Sequence, residues 1–273
     1  MNHPHTRPFL KWAGCKYSSL HHILDTLPKA QRFIEPFAGS GAVFINTNYP
    51  NYLIGERNVD LIDLFQYLQK DGERFITFCE PYFSDENNNA EQYYRFRTEF
   101  NQITDSWKRA ALFVYLNRHG YNGLCRYNKK GIFNVPFGRY TKPTLPKARM
   151  QYFHQKCQTA TFMHADFTEI FRQANAGDVI YCDPPYAPLE QRSNFSSYTG
   201  AIFGAEEQVL LAKLARESAG RGIFVIISNH DTEFTRDIYH GSNIKSFPVA
   251  RYISRNLNER IPVQELLVVF KPD

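Results

Sequence analysis

Val179-Ile180-Tyr181-Cys182-Asp183-Pro184-Pro185-Tyr186 is an apolar, β-branched run that stops at an acid, two prolines and an aromatic. It reads as a buried strand entering a rigid corner, because proline fixes its own backbone angle and cannot donate to a ladder. In an open α/β sheet ligands bind beyond the carboxyl ends of the strands, which sets Asp183 and Tyr186 at the mouth of a cleft. Asp-Pro is also ordinary turn chemistry, so the corner alone does not separate a site from a plain strand-to-loop turn.

A second strand-to-turn unit stands near the start of the chain. Arg32-Phe33-Ile34-Glu35-Pro36-Phe37 reads as a strand that runs into Ala38-Gly39-Ser40-Gly41-Ala42, with Val43-Phe44-Ile45 as the start of a helix. Glycines let the backbone approach a ligand closely, and a strand, a glycine turn and a helix make a nucleotide-type pocket. Tyr52-Leu53-Ile54-Gly55-Glu56 reads as the next strand. It ends in an acid where a carboxylate can accept from both hydroxyls of a ribose, or can serve the start of the amphipathic helix that begins at Asp60.

From about residue 71 the βαβ rhythm breaks. Helices are expected over 90–103 and 106–119, then a β-hairpin from Gly120 to Tyr140 with its turn at 128–131. Between Asp105 and Asp166 there is no Asp or Glu but eleven Lys or Arg; with a net charge of +5, the rest of the chain stands at −6. A basic block of this kind is the electrostatic footprint of a nucleic-acid surface, and a basic hairpin is one way to enter a DNA major groove. Residues 71–144 are therefore expected to form an inserted recognition domain, with 1–70 and 145–273 forming the catalytic one. The α/β pattern returns with strands at 161–164 and 179–182, a polar loop over 187–198, a helix over 205–218 and a strand over 223–229. A terminal antiparallel pair, 244–247 with 263–270, closes the chain.

At 273 residues, 43% hydrophobic and 22% charged, the chain has a globular balance, with a high aromatic share of 15% that suits cores and base-stacking surfaces alike. No apolar run approaches membrane-spanning length and the N-terminus lacks the form of a signal peptide, so a cytoplasmic protein is expected. Five cysteines without a Cys-x-x-Cys pair indicate neither a disulfide framework nor zinc, and nine scattered histidines offer no metal face.

Phe9-Leu10-Lys11-Trp12-Ala13-Gly14-Cys15-Lys16, Glu35-Pro36-Phe37-Ala38-Gly39-Ser40-Gly41, the hairpin wording Tyr121-Asn122-Gly123-Leu124-Cys125-Arg126-Tyr127-Asn128 with Asn134-Val135-Pro136-Phe137-Gly138-Arg139-Tyr140, and Asp183-Pro184-Pro185-Tyr186 stand in the order seen in one family. Together they resemble the Dam-type, D12-class DNA adenine methyltransferases that modify GATC, over nearly the whole chain. The resemblance implies an α/β, Rossmann-like fold dependent on S-adenosylmethionine, which becomes S-adenosylhomocysteine. Its seven-stranded, mostly parallel sheet has one reversed strand and carries an inserted helical and β-hairpin target-recognition domain. It implies that Trp12, Lys16, Glu35, Phe37, Ala38, Gly39, Ser40, Glu56, Asp166, Phe167 and Asp183 surround the cofactor. On the DNA side it implies Arg126 as the guanine reader, with Lys11, Arg118, Tyr121, Asn122, Leu124, Asn128, Pro136, Arg139, Tyr140 and Asn194 around the duplex. No metal is expected, and a monomer acting on the bacterial nucleoid is.

Asp183, Pro184 and Tyr186 form the expected catalytic set. The exocyclic amine of adenine is a poor nucleophile because its lone pair is delocalised. A carboxylate and a carbonyl that accept its two hydrogens localise that pair, while Tyr186 stacks on a base flipped out of the duplex. Cys15 stands where the family usually has a glycine, which is expected to constrain the backbone beside the cofactor; Glu56 stands where an aspartate is more usual, and since it can still hold a ribose diol, activity is expected to survive. An RNA or a protein amide is the rival substrate that the corner alone allows, and a DNA-binding protein on an inactive scaffold is the rival class.

Overall fold

The computed structural model describes residues 5–189, 203–249 and 263–272. Seven strands, β1 (Arg32–Glu35), β2 (Asn51–Glu56), β3 (Ala160–His164), β4 (Val179–Cys182), β5 (Phe224–His230), β6 (Asn243–Val249) and β7 (Val263–Phe270), form one sheet in the order β3-β2-β1-β4-β5-β7-β6. The described helices are α1 (Leu20–Leu24), α2 (Val59–Cys79), α3 (Ala90–Gln102), α4 (Ser106–His119), α5 (Lys147–Lys156), α6 (Phe167–Arg172), α7 (Ala205–Gly220) and α8 (Glu233–Ile238).

β1 runs parallel to β2 and β4, and β4 parallel to β5, whereas β7 runs against both β5 and β6. Every residue of β4 is fully buried, as are Phe33, Ile34, Val225, Ile226 and Ile227. An unbroken apolar run is what a strand covered on both faces requires. The chain leaves β1 for one side of the sheet and returns to β4 on the other, so the strand order reverses between them. With Phe33 opposite Val179 and Ile34 opposite Ile180, the segments after β1 and β4 leave the same end of the sheet, where ligands bind in such folds. Arg32 pins the opposite end: its Nη2 lies 2.5 Å from Asp178 Oδ2, just before β4.

The chain packs as two compact units, one of Met1–Tyr17, Gly39–Thr47 and Glu56–His164, the other of Ser18–Ala38, Asn48–Gly55 and Ala165–Asp273. In the first, Asn58 caps α2 by accepting from the Leu61 amide at 3.3 Å, and Leu61, Leu64, Phe65 and Leu68 form its buried stripe. α2 kinks at Asp71 (φ −134°, ψ 39°). There the Leu68 carbonyl meets Nδ1 of the His154 ring at 2.6 Å. Gly72 makes room for that ring, since a Cβ there would lie 2.3 Å from His154 Cγ. Asp105 caps α4 through the Trp107 and Lys108 amides, and Ala110 through Asn117 are buried without a break, as in a helix surrounded by protein.

Two expectations need amending. The helix expected from Val43 is a single 3-10 turn, Phe44–Asn46, because the Asn46 side chain donates to the Ala42 carbonyl at 2.8 Å and the Thr47 hydroxyl donates to that of Phe44 at 2.9 Å. The hairpin follows an antiparallel course but forms no ladder, only isolated bridges between Gly120 and Phe137 and between Tyr127 and Phe133. Helix α3 takes the backbone groups a ladder would use: Asn101 pairs with both the amide and the carbonyl of Phe133, at 2.9 and 3.0 Å, and Tyr93 and Arg97 donate to the Val135 carbonyl. The turn lies where expected, with Asn128 Oδ1 accepting from Lys130 and Ile132 and Gly131 at φ 73°.

Candidate active site

In the second unit, Asp183-Pro184-Pro185-Tyr186 leaves β4 and is gripped from β5, α7 and β7. Ser228 Oγ donates to Asp183 Oδ1 at 3.1 Å, and Tyr186 Oη donates to Glu265 Oε2 at 3.1 Å. The Tyr186 ring stands edge-on to His230, 4.7 Å between centroids. Burial first, and the Asp183 charge next, push the Tyr186 phenol well above its ordinary value, so it stays neutral. Gln208 Nε2 donates to the Pro185 carbonyl at 2.7 Å, and the Ala187 amide donates to Asn229 Oδ1 at 3.0 Å. The corner is thus a fixed carboxylate beside a tethered aromatic ring.

At the end of β1, Glu35 is buried and Phe37 stacks on Phe167 with centroids 5.4 Å apart. The Ala38 amide donates to the Gly55 carbonyl at 3.0 Å, which ties this turn to β2. Asp166 Oδ1 caps α6 through the Thr168 amide at 3.1 Å.

In the first unit, Gly39 lies against Trp12: its φ is 47°, and a Cβ would come within 2.7 Å of the indole nitrogen. Glu56 Oε2 accepts from the Gly39 amide at 3.1 Å, while Oε1 accepts from Arg57 at 2.9 Å and Asn58 at 3.1 Å. A carboxylate offers about four lone-pair directions, so these bonds leave Oε2 room for one more donor. Burial raises the Glu56 carboxyl above its ordinary value, against the pull of those amides. Lys16 is buried, with Nζ donating to the Gly14 carbonyl at 2.9 Å, and Ser40 Oγ lies 3.6 Å from Cys15 Sγ. These features fit a nucleoside-bearing cofactor: a turn with no room for a side chain, an indole against it, and a carboxylate already anchored by backbone.

The hairpin gathers most of the residues expected at DNA. The Tyr121 amide donates to the Pro136 carbonyl at 2.8 Å, which brings Tyr121, Asn122 and Leu124 alongside Pro136 and Arg139. Arg126 is exposed, and Asn134 holds its guanidinium from the facing segment. Asn122 (φ 52°) and Arg139 (φ 53°) are the non-glycine residues with left-handed backbone among the described residues, a strained conformation that concentrates at working sites. Lys11 Nζ sits 3.7 Å over the Tyr140 ring and meets the Arg118 carbonyl at 3.5 Å. Burial and the Arg118 charge lower the Lys11 pKa, and burial and Arg149 lower that of Arg118, which marks a half-buried cluster of positive charge. Asn128 is occupied in shaping the turn, and Asn194 lies outside the described residues.

The basic block is less one-sided than its sequence. Lys108 pairs with Glu99, Arg109 with Asp60 and Lys147 with Glu80, so folding supplies acids from before the block. Asp60 is buried and also accepts from Tyr127 Oη at 2.5 Å.

Sequence reading missed four polar residues that hold the named ones: Ser228, Asn134, Asn58 and Asn117. Asn117 is buried and pairs with both the amide and the carbonyl of Lys11, at 2.9 and 2.7 Å, and also donates to the Gly123 carbonyl at 3.1 Å. Its one sequence signal is an amide that follows directly on the apolar run of α4, near the C-terminal end of the helix. Among the described residues no group of three or more His, Cys, Asp or Glu could hold a metal ion, and no helix is long and apolar enough to cross a membrane.

Residues 12–253 match the family model of the D12 class N6 adenine-specific DNA methyltransferases. The chain is 47% identical over 267 residues to a DNA adenine methylase of Vibrio cholerae, covering 97% of this chain and 96% of that one. It is 46% identical to those of Haemophilus influenzae, over 97% and 93% of the two chains, and Escherichia coli K12, over 97% and 96%. The chain belongs to the D12 class of N6 adenine-specific DNA methyltransferases. It is an enzyme that methylates adenine in DNA on an α/β methyltransferase fold, which removes the RNA, protein and inactive-scaffold rivals.

Proposed function

We propose that the enzyme transfers a methyl group from S-adenosylmethionine to the exocyclic amine of adenine in GATC duplexes, after flipping that adenine out of the helix. The observation that carries the sequence choice is the exposed guanidinium of Arg126, held by Asn134 on a hairpin whose wording resembles that of GATC-specific enzymes. Arginine offers two parallel donors that match guanine O6 and N7 in the major groove. Tyr121, Asn122, Leu124, Pro136 and Arg139 line the rest of that surface, and Lys11, Arg118, Asn128, Tyr140 and Asn194 complete it. Residues 71–144 act as the recognition insert, with 1–70 and 145–273 as the catalytic part.

Trp12, Lys16, Gly39, Ser40 and Glu56, with Glu35, Phe37, Ala38, Asp166, Phe167 and Asp183, hold the cofactor. Its bonding suggests that Glu56 takes one ribose hydroxyl on Oε2. When bound, S-adenosylmethionine supplies an electrophilic methyl on a positively charged sulfur. The protein does the rest by position and charge. The Asp183 carboxylate and the Pro184 carbonyl accept the two amine hydrogens, which draws the nitrogen toward tetrahedral geometry and localises its lone pair. Tyr186, tethered through its hydroxyl, stacks on the flipped base and recovers part of the few kcal/mol lost in unstacking it. The enzyme works as a monomer on the nucleoid in the cytoplasm, without a metal.

The test is transfer of labelled methyl to duplexes carrying GATC, beside a matched set with the site scrambled. Label confined to the GATC adenine is expected. Label in both sets overturns the role of the hairpin, and label in neither overturns the choice of site.

A further inference from the structure

We propose that Ser228 is a positioning residue for Asp183, as the middle of a relay that runs from the Tyr181 hydroxyl through Ser228 Oγ to the Asp183 carboxylate. The inference rests on the reading of Asp183 as an acceptor for the adenine amine. Ser228 lies on β5, one step past the pair Cys182–Ile227, and is almost fully buried. Its Oγ stands 3.1 Å from Asp183 Oδ1, 3.0 Å from Tyr181 Oη and 3.4 Å from the Cys182 carbonyl oxygen.

A serine hydroxyl has one proton to give. Asp183 Oδ1 is nearer than the Cys182 carbonyl and is charged, so the bond goes to Asp183. A lone pair of Oγ then receives the Tyr181 proton. Tyr181 is fully buried, and burial, reinforced by the charges of Asp183, Glu35 and Glu265, holds its phenol well above the ordinary value, so it remains a donor. The chain of bonds ties Asp183 Oδ1 to β5 and so biases the rotation of the carboxylate about its side-chain axis.

The neighbouring residues hold the main chain separately. Asn229 accepts from the Ala187 amide and donates to Gln208 Oε1 at 3.0 Å, and Gln208 donates to the Pro185 carbonyl. Removing the Ser228 hydroxyl therefore takes this donor from the carboxylate while the corner keeps its backbone bonds.

The experiment compares Ser228→Ala, Tyr181→Phe and the double variant of the full chain in steady-state methyl transfer to a GATC duplex, with thermal melting alongside. Ser228→Ala is expected to lower kcat about 10- to 100-fold with KM for DNA and cofactor nearly unchanged, the signature of a displaced catalytic group. Tyr181→Phe is expected to cost less, and the double variant no more than Ser228→Ala, because Tyr181 acts only through Ser228. The double variant also leaves no buried phenol without an acceptor, so it separates lost alignment from lost stability. A Ser228→Ala enzyme within about twofold of wild-type kcat, or losses that add, would overturn the inference. A wild-type chain that methylates no GATC duplex overturns the functional reading and this inference with it.

Discussion

Asn134 holds the Arg126 guanidinium from across the hairpin: Nε donates to its side-chain oxygen at 2.8 Å and Nη2 to its backbone carbonyl at 3.3 Å. The arginine is therefore aimed before DNA arrives. Arg126→Ala is expected to relax sequence choice, losing about 1–3 kcal/mol of discrimination at one base pair. Asn134→Ala should lose part of that, since the fork remains but is no longer held. Cognate and scrambled duplexes measured in parallel decide it; equal losses on both contradict the assignment.

Two kinds of basic residue should behave differently. Lys129→Ala or Lys142→Ala should weaken all DNA alike and reduce the salt slope by about 0.9 for each phosphate left without its cation. Arg109→Ala instead strands the buried Asp60 and should destabilise the fold by about 3–5 kcal/mol. Melting curves beside binding isotherms at several salt concentrations distinguish them.

Asp183→Ala should nearly abolish methyl transfer, because the carboxylate is one of the two acceptors that localise the lone pair of the amine. Tyr186→Ala should cost less, on the scale of the about 1–3 kcal/mol that an aromatic contributes by stacking on a base. Turnover of Asp183→Ala at the wild-type rate would refute the catalytic assignment.

Glu56→Ala should raise KM for the cofactor. Glu56→Gln should do no better, since an amide turned toward the Gly39 N–H sets donor against donor. With its carboxyl raised by burial, Glu56 takes a proton at a higher pH than an ordinary glutamate, so KM for the cofactor should climb early on the acid side. The sign for stability is opposite. The folded chain keeps that proton where the unfolded chain has released it, so this group makes folding less favourable as pH rises through the window.

His119 is fully buried and stacked on Tyr115, and burial pushes its imidazole down from 6.5 to about 4, against the Tyr115 carbonyl. Unfolded chains bind its proton first, so stability should fall as pH drops from 6.5 toward about 4. The loss attributable to this group is on the order of 3 kcal/mol at the acid end. Urea denaturation at several pH values should show that slope in the wild type and a flatter one in His119→Phe.

Much of this architecture is legible in the chain. The bounds of β4 and α4 are those read from their apolar residues, and β7 is the reversed strand. Helix α5 escaped because only Met150 and Phe153 are buried along it, too few to draw a stripe. The hairpin ladder failed because Asn101, Tyr93 and Arg97 satisfy the backbone from α3, a tertiary event that no period records. The same holds for the site. The residues expected to meet ligand stand in recognisable motifs, whereas those that hold them, Ser228 and Asn134 above all, are single polar residues whose meaning depends on what folding sets beside them.

The left-handed backbone at Asn122 and Arg139 limits how this scaffold can be re-engineered. Asparagine and glycine adopt that conformation readily and β-branched residues do not. A library built to retarget the enzyme should therefore diversify Tyr121, Leu124 and Arg126 freely, admit only glycine or aspartate at 122, and leave 139 untouched. Variation at those two positions would reshape the loop itself before any new base could be read.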